Sequence, residues 1–161
     1  MKLMRNASPA TEVIERYLRA RGRRYFRGHH DGEFFFILPA GHERLHVHIE
    51  IPPADRDSVT VRVTPPCFFA AAEDARLKAF ADTWNEESLP TRAVVYESCD
   101  RNRIGVAAES TCPLAPSMPF EEFADLADST IRSAVTLFAE MTPPTGTAQM
   151  RTLGAWLQDA G

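Results

Sequence analysis

The segment spanning residues 117–141 has the longest helical period in the chain, and it constrains the fold more than any other feature. Its apolar side chains recur at intervals of three or four residues, which predicts one long amphipathic helix. Ser117 is suited to cap the first turn, and Glu121 and Glu122 place negative charge at the positive end of the helix dipole. The apolar stripe is wide enough to contact two surfaces. It comprises Phe120, Phe123, Leu126, Ala127, Ile131, Ala134, Val135, Leu137, Phe138 and Met141.

The first half of the chain has the pattern of a short helix followed by strands. Helical spacing predicts a first helix at residues 11–20, and Gly22 provides a stop after it. Strand-like runs follow at residues 33–38, 44–51 and 58–64, and residues 25–28 form a shorter candidate strand. Because turns rich in Pro, Gly and Asp separate these runs, we expect an antiparallel meander.

Two of these runs alternate strictly between aliphatic and polar residues. In residues 44–51, Val47 and Ile49 share one face, whereas His46 and His48 share the other, and residues 58–64 repeat this division. Such alternation is typical of a sheet with one buried face and one face open to water. The sequence therefore predicts an α+β fold in which helices cover one face of a twisted antiparallel sheet.

A second helix and a hairpin are expected between the meander and the long helix. The Ala-rich residues 69–85 have helical spacing, and the Asn at the end of this run suits a C-terminal cap. Residues 91–98 and 104–111 predict a hairpin in which Tyr96 lies opposite Val106. This register gathers the apolar side chains of the hairpin on one face.

The chain length and the distribution of helix breakers define one domain. A length of 161 residues suits a single domain, which we place at residues 8–141. Pro143, Pro144 and Gly146 interrupt the helical pattern, so residues 142–161 are predicted to be a linker and a short amphipathic tail.

Charge and cysteine content narrow the functional class and the compartment. The net charge of −4 argues against general nucleic-acid or membrane-surface binding, which requires accumulated cationic charge. The three cysteines, an odd number without metal-type spacing, indicate free thiols in a reducing compartment. Since the sequence has neither a signal-peptide pattern nor an apolar run long enough to span a bilayer, we expect a cytoplasmic protein.

Three stretches of the chain together resemble the YbjN-like family. They are the string Phe-Ala-Asp-Thr-Trp-Asn at residues 80–85, the hairpin at residues 92–109 and the helix at residues 119–141. That family shares the fold of the type III secretion chaperones, whose protomers commonly dimerise. The resemblance implies a non-enzymatic protein-binding module, chaperone-like or regulatory, that acts as a homodimer and uses no cofactor.

The wide stripe on the long helix supplies candidate residues for the dimer or for another partner. A stripe broader than one groove leaves apolar area that a monomer rarely exposes. The candidates on this helix are Phe123, Leu126, Leu137 and Phe138, and Trp156 is a further candidate in the tail.

The histidines suggest a possible metal site. His46, His48 and Glu50 project from one strand face, and His29, His30 and His42 lie in turns that could approach it. Imidazole and carboxylate suit zinc and related ions. However, neither a cysteine nor a second carboxylate occurs at ligand spacing, so we expect an ordinary polar strand face without a metal.

A cluster of arginines near the first helix allows two interpretations. Aromatic residues lie between these arginines. Proteins use this combination to bind single-stranded nucleic acids, because arginines contact the phosphates and aromatic rings stack on the bases. With a negative overall charge we favour arginines that pair with the acidic surface around Asp125 and Asp128. The cluster comprises Arg16, Arg19, Arg21, Arg23, Arg24 and Arg27.

Motifs for catalysis are missing from the sequence. It contains no nucleophile elbow, no P-loop, no dinucleotide-binding glycine pattern and no recognisable Cys-His pairing. We therefore expect a protein that is not an enzyme.

Overall fold

The computed structural model describes residues 8–41, 43–87, 90–114 and 117–141. This part of the chain contains three α-helices and seven strands, in the α+β order that the sequence predicts. The elements are α1 (Pro9–Ala20), β1 (Tyr25–Arg27), β2 (Glu33–Ala40), β3 (Glu43–Glu50), β4 (Ser58–Thr64), β5 (Phe69–Ala70), α2 (Asp74–Glu86), β6 (Arg92–Glu97), β7 (Arg103–Pro113) and α3 (Phe120–Met141). None of the helices among these residues combines the length and apolarity that a bilayer crossing needs.

All seven strands join in one antiparallel sheet that begins with β1, β2, β3 and β4 in chain order. The long strand β7 follows β4, and its two ends have different neighbours on that side. Its second half pairs with β4, whereas its first residues pair with the short β5. Strand β6 lies along the other side of β7, so that β1, β6 and the two-residue β5 each have a single strand neighbour.

The helices α1 and α3 cover one face of the sheet, and together they explain the wide stripe of α3. One flank of α3 contacts β4 and β7, and the other contacts α1. Between the two helices the rings of Tyr17 and Phe123 pack edge to face, with centroids 5.4 Å apart. Both flanks therefore have contacts within the protomer, and most of the stripe is buried there, although Val135 remains 41% exposed.

The beginnings of α1 and α3 differ from the predicted ones by a few residues. In α1, the Ser8 hydroxyl accepts a hydrogen bond from the Thr11 N–H at 3.3 Å, so the helix starts at Pro9. In α3, the Phe123 N–H donates to the Pro119 carbonyl at 3.2 Å, and the helix starts at Phe120. The expectation that Ser117 caps α3 is wrong, because Ser117 lies ahead of this first turn.

The predicted helix at residues 69–85 is divided into three pieces. Its first two residues form β5, because Phe69 pairs with Ile104 in the sheet despite the helical propensity of the Ala-rich run. A single 3₁₀ turn, Ala71–Glu73, leads into α2. Asn85 does not act as a C-terminal cap, since α2 continues to Glu86 and the Asn85 side chain bonds to Ala93 instead.

The hairpin of β6 and β7 is one residue out of the predicted register. Val95 lies opposite Val106, and Tyr96 lies opposite Gly105. In the loop of this hairpin the Ser98 hydroxyl lies 2.7 and 2.9 Å from the carbonyl oxygens of Asp100 and Arg103, which share its single O–H. In this register Tyr96 projects from the sheet face that no helix covers.

Candidate functional site

The uncovered face of the sheet holds a shallow cavity of about 490 Å³, which we call the open-face groove. Alternation along β2, β3 and β4 brings its side chains together, since each strand sends every second residue to this face. The register confirms this arrangement: Phe35 pairs with His48, and His48 pairs with Arg62. The lining includes Phe26, Phe35, Ile37, His46, Arg62 and Tyr96.

Large apolar side chains remain exposed mainly on this side of the molecule. The exposed fractions are 70% for Phe26, 40% for Phe35 and 50% for Ile37, and all three line the open-face groove. Phe68 is 45% exposed and packs edge to face against Tyr96, with ring centroids 6.4 Å apart. Strand alternation predicts a polar surface here, so the aromatic residues depart from the pattern that solubility alone would require.

Tyr96 is held in the groove by one residue beneath it and one above it. Gly105 lies opposite Tyr96, and a Cβ atom at this position would overlap the Tyr96 ring. The Arg62 guanidinium lies 4.6 Å from the centroid of the same ring, a distance at which a cation is attracted to the aromatic face. Arg62 also faces Glu109, with 3.8 Å between Nη1 and Oε2. These contacts give the aromatic end of the groove a fixed shape.

Where β2 begins and β3 ends, the groove adjoins a group of four side chains, which we call the His–Glu cluster. Its members are His30, Glu33, His48 and Glu50. His48 Nε2 lies 3.4 Å from Glu33 Oε2 and 3.3 Å from Glu50 Oε2. His30 Nδ1 lies 3.5 Å from Glu33 Oε2, and His30 Nε2 lies 3.9 Å from Glu50 Oε1. Glu33 and Glu50 are directly opposite in the strand register, so the two imidazoles separate carboxylates that would otherwise repel each other.

Neighbouring groups orient the members of the His–Glu cluster. Glu33 Oε1 accepts a hydrogen bond from the His29 N–H at 3.0 Å, which leaves Oε2 to face the histidines. The Glu33 carboxylate lies against Gly28, where a Cβ atom would overlap it. The His48 ring stacks on Phe35 at 4.5 Å between centroids, with an interplanar angle of 12°.

The electrostatics of Glu33 reflect these contacts. Burial alone would raise the pKa of Glu33, but the His29 N–H and the neighbouring His30 and His48 rings act in the opposite direction. The net effect lowers the pKa of this carboxyl, because the His29 N–H and the neighbouring rings stabilise its charged form. Glu33 is therefore a carboxylate at neutral pH despite being only 12% exposed.

The structure brings together part of the histidine set that the sequence suggests. His48 and Glu50 are in the His–Glu cluster with His30. His46 lies outside the cluster, two residues before His48 on β3, where it is opposite Ile37 and Thr64. His29 contributes only its backbone N–H, and His42 is outside the described residues. Glu33 was missed, although its place at the start of β2, opposite the end of β3, could have been deduced from hairpin register.

A comparison with solved structures identifies the architecture that carries this site. The chain matches the crystal structure of "YbjN, a putative transcription regulator from E. coli" with a TM-score of 0.64, over 83% of this chain and 91% of that chain. The chain has a YbjN-like fold. Because the two sequences are only 14% identical, the likeness concerns the fold alone. No family model matches the chain, and no curated protein matches it.

Within the YbjN-like fold, several of the clustered arginines have partners on the helices. Arg21 forms an ion pair with Asp128 at 2.7 Å, and Arg27 forms one with Glu15 at 2.8 Å. The Arg16 guanidinium lies 4.5 Å from the centroid of the Phe120 ring. The interpretation that these arginines meet the acidic surface is therefore supported at Asp128, while Arg19 and Arg24 are exposed.

The residues predicted to bind a partner are mostly interior in the YbjN-like fold. Phe123 and Leu137 are 0% exposed and Phe138 is 4% exposed, because α3 packs them against the sheet and α1. These three side chains cannot form a partner surface while the fold is intact. Leu126 is half-buried, and Trp156 lies outside the described residues.

Proposed function

We propose that this chain is a non-enzymatic binding module that holds a segment of another protein in the open-face groove, in a chaperone-like or regulatory role. One observation carries this proposal. Among the described residues, five large apolar side chains are exposed, and four of them, Phe26, Phe35, Ile37 and Phe68, lie at or beside this groove. Exposed apolar side chains that are gathered at one site mark an interaction surface far more often than scattered ones do.

The shape of the site favours an extended segment as the occupant. The groove reaches the edge strand β1, so a strand-like peptide that runs along β1 can direct its alternate side chains towards Phe26 and the groove. The edge strand β1 carries Phe26 and has only β2 as its strand neighbour, so its outer edge is open to pairing with such a peptide. Main-chain hydrogen bonds would then provide affinity, and the aromatic residues would provide selectivity.

The description of YbjN as a putative transcription regulator is compatible with a regulatory role. Homodimerisation, which the family resemblance implies, is a separate part of the proposal. With most of the α3 stripe buried, its exposed member Val135, at 41%, and the exposed side chains at or beside the open-face groove are the large apolar side chains left for such contacts among the described residues.

Peptide selection from a random library displayed on phage tests the proposed function. We expect selected peptides with apolar residues at alternate positions, and we expect Phe35→Ser to weaken their binding at least about tenfold. Val135→Ser is the matched control, since Val135 and Phe35 have exposed fractions of 41% and 40% but Val135 lies on α3. The proposal fails if the library yields no binder, or if both substitutions weaken binding equally.

A further inference from the structure

We propose that the His–Glu cluster is a binding site for a divalent transition metal, Zn²⁺ in the first place. The donor atoms of His30, Glu33 and Glu50 all lie within 4.8 Å of one another. His48 lies beside this group, with its Nε2 3.4 and 3.3 Å from the two carboxylates. The site therefore offers three ligands, one imidazole and two carboxylates, from a turn and two adjacent strands, with the His48 imidazole next to both carboxylates. This assignment is independent of whether a protein segment binds in the groove.

The separations between donor atoms match those around a small metal ion. Two ligands at about 2.1 Å from a tetrahedral Zn²⁺ ion are about 3.4 Å apart. Three of the donor separations in the cluster, those involving Glu33 Oε2 and His48 Nε2, are 3.3, 3.4 and 3.5 Å. The remaining contact, 3.9 Å from His30 Nε2 to Glu50 Oε1, involves the second nitrogen of the His30 ring, whereas Nδ1 is the nitrogen near Glu33. Because a ring ligates one ion through a single nitrogen, reorientation of these side chains would be needed to bring one atom of each group into a single coordination sphere.

Two histidine nitrogens that face the carboxylates make no well-aligned hydrogen bond among the described residues. His30 Nε2 and His48 Nε2 are buried atoms without a hydrogen-bond partner, although carboxylate oxygens lie 3.3 to 3.9 Å away. Buried ring nitrogens are normally paired, because desolvation without a replacement bond is costly. A metal ion between the His30 ring and the two carboxylates would give a ring nitrogen a bonding partner.

Charge and orientation favour the same conclusion. Glu33 and Glu50 bring two negative charges into one cross-strand pair, which a divalent ion would neutralise. The His29 N–H fixes one oxygen of Glu33 and leaves the other facing the histidines, as outer hydrogen bonds do for metal-binding carboxylates. Gly28 provides the space for this carboxylate.

The donor types select the class of metal. Imidazole nitrogen is a good ligand for Zn²⁺ and neighbouring transition metals, whereas Mg²⁺ and Ca²⁺ prefer an all-oxygen shell. We therefore expect Zn²⁺ to bind and Mg²⁺ to bind much more weakly. The metal would also fix the His48 ring, which stacks on Phe35 in the wall of the groove.

Titration of the full chain, stripped of metal by a chelator, tests this site. Calorimetry with Zn²⁺ is expected to give one equivalent bound, and Co²⁺ is expected to give the visible absorption of a nitrogen- and oxygen-ligated ion. His48→Ala and Glu33→Gln should each weaken Zn²⁺ binding at least about tenfold. His46→Ala is the matched control, because His46 lies on the same strand and face but outside the cluster.

Circular dichroism of every variant separates lost ligands from lost folding, and Glu50→Gln, which preserves side-chain size, provides a second ligand variant. The assignment is overturned if the wild-type chain shows no stoichiometric Zn²⁺ binding, or if Mg²⁺ binds as tightly as Zn²⁺. It is also overturned if His46→Ala weakens Zn²⁺ binding as much as His48→Ala does.

Discussion

The side-chain amide of Asn85 forms hydrogen bonds with both backbone polar groups of Ala93. Asn85 Oδ1 accepts from the Ala93 N–H at 2.8 Å, and Asn85 Nδ2 donates to the Ala93 carbonyl at 3.0 Å. The amide of an α2 residue thus takes the place that the backbone of a further strand would occupy beside β6. Trp84 adds a bond from Nε1 to the Thr91 carbonyl at 3.0 Å. Strand addition at this edge is thereby blocked, which is one way in which proteins protect edge strands.

Replacement of Asn85 tests the energetic importance of this pairing. Asn85→Leu removes both hydrogen bonds and leaves the partly buried N–H and carbonyl of Ala93 without partners. We expect a loss of about 2–3 kcal/mol in the free energy of unfolding, measured by urea denaturation. Asp82→Ala, an exposed change on the same helix, should cost less than about 0.5 kcal/mol. Equal effects of the two substitutions would contradict the role assigned to Asn85.

The contacts of Asp128 with Tyr17 and Arg21 make the stability of the fold depend on pH. Burial alone would raise the pKa of Asp128, but hydrogen bonds from Arg21 at 2.7 Å and from the Tyr17 hydroxyl at 2.7 Å outweigh burial and lower it. A carboxyl with a lowered folded-state pKa contributes stability above its unfolded-state pKa, and this contribution is lost as the pH falls through the folded-state value. We therefore expect the free energy of unfolding to fall as the pH drops below about 4, and we expect part of this decrease to be due to protonation of Asp128.

Urea denaturation between neutral and acidic pH measures this effect. Asp128→Asn should lower stability at pH 7 by about 1–2 kcal/mol, and the difference from wild type should shrink towards pH 3. The expected loss is small because Arg21 and Asp128 are 37% and 33% exposed, and solvent screens their ion pair. Asp82→Asn, on the exposed side of α2, should leave the acid dependence unchanged. A constant difference between wild type and Asp128→Asn at every pH would refute the assignment.

The elements that the sequence predicts well are those that a local residue pattern determines. The features that it does not predict depend on which strands pair in the sheet. Alternation fixes the faces of Val47 and His48, and helical spacing locates α1 and α3 within a few residues. Phe69 belongs to a strand only because β7 extends past β4 and offers it a partner, which no local pattern reveals. The same holds for Glu33, whose chemistry appears only when the β2–β3 register places it opposite Glu50.

Gly105 and Tyr96 provide a test of the groove's shape. Gly105→Ala places a Cβ atom where the Tyr96 ring lies, so the ring must move or the strands must separate. We expect a loss of about 1–3 kcal/mol in stability, as is typical of added volume at a packed site. In a Tyr96→Ser background the clash disappears, and the same glycine substitution should cost markedly less. Thermal or urea denaturation of the four chains gives this coupling energy, and strictly additive effects would exclude the contact.

The exposed arginines allow a decisive test of nucleic-acid binding. Arg21 and Arg27 are engaged in ion pairs with Asp128 and Glu15, which leaves Arg16, Arg19 and Arg24 as exposed cations near α1 that form no ion pair among the described residues. Three such cations on a chain with a net charge of −4 neutralise too few phosphates for appreciable affinity at physiological salt. We therefore expect no gel shift of single-stranded DNA or RNA at about 150 mM salt with protein up to about 10⁻⁵ M. A shift that Arg19→Glu with Arg24→Glu abolishes would instead establish nucleic-acid binding at α1, because these substitutions leave the ion pairs that hold α1 in place.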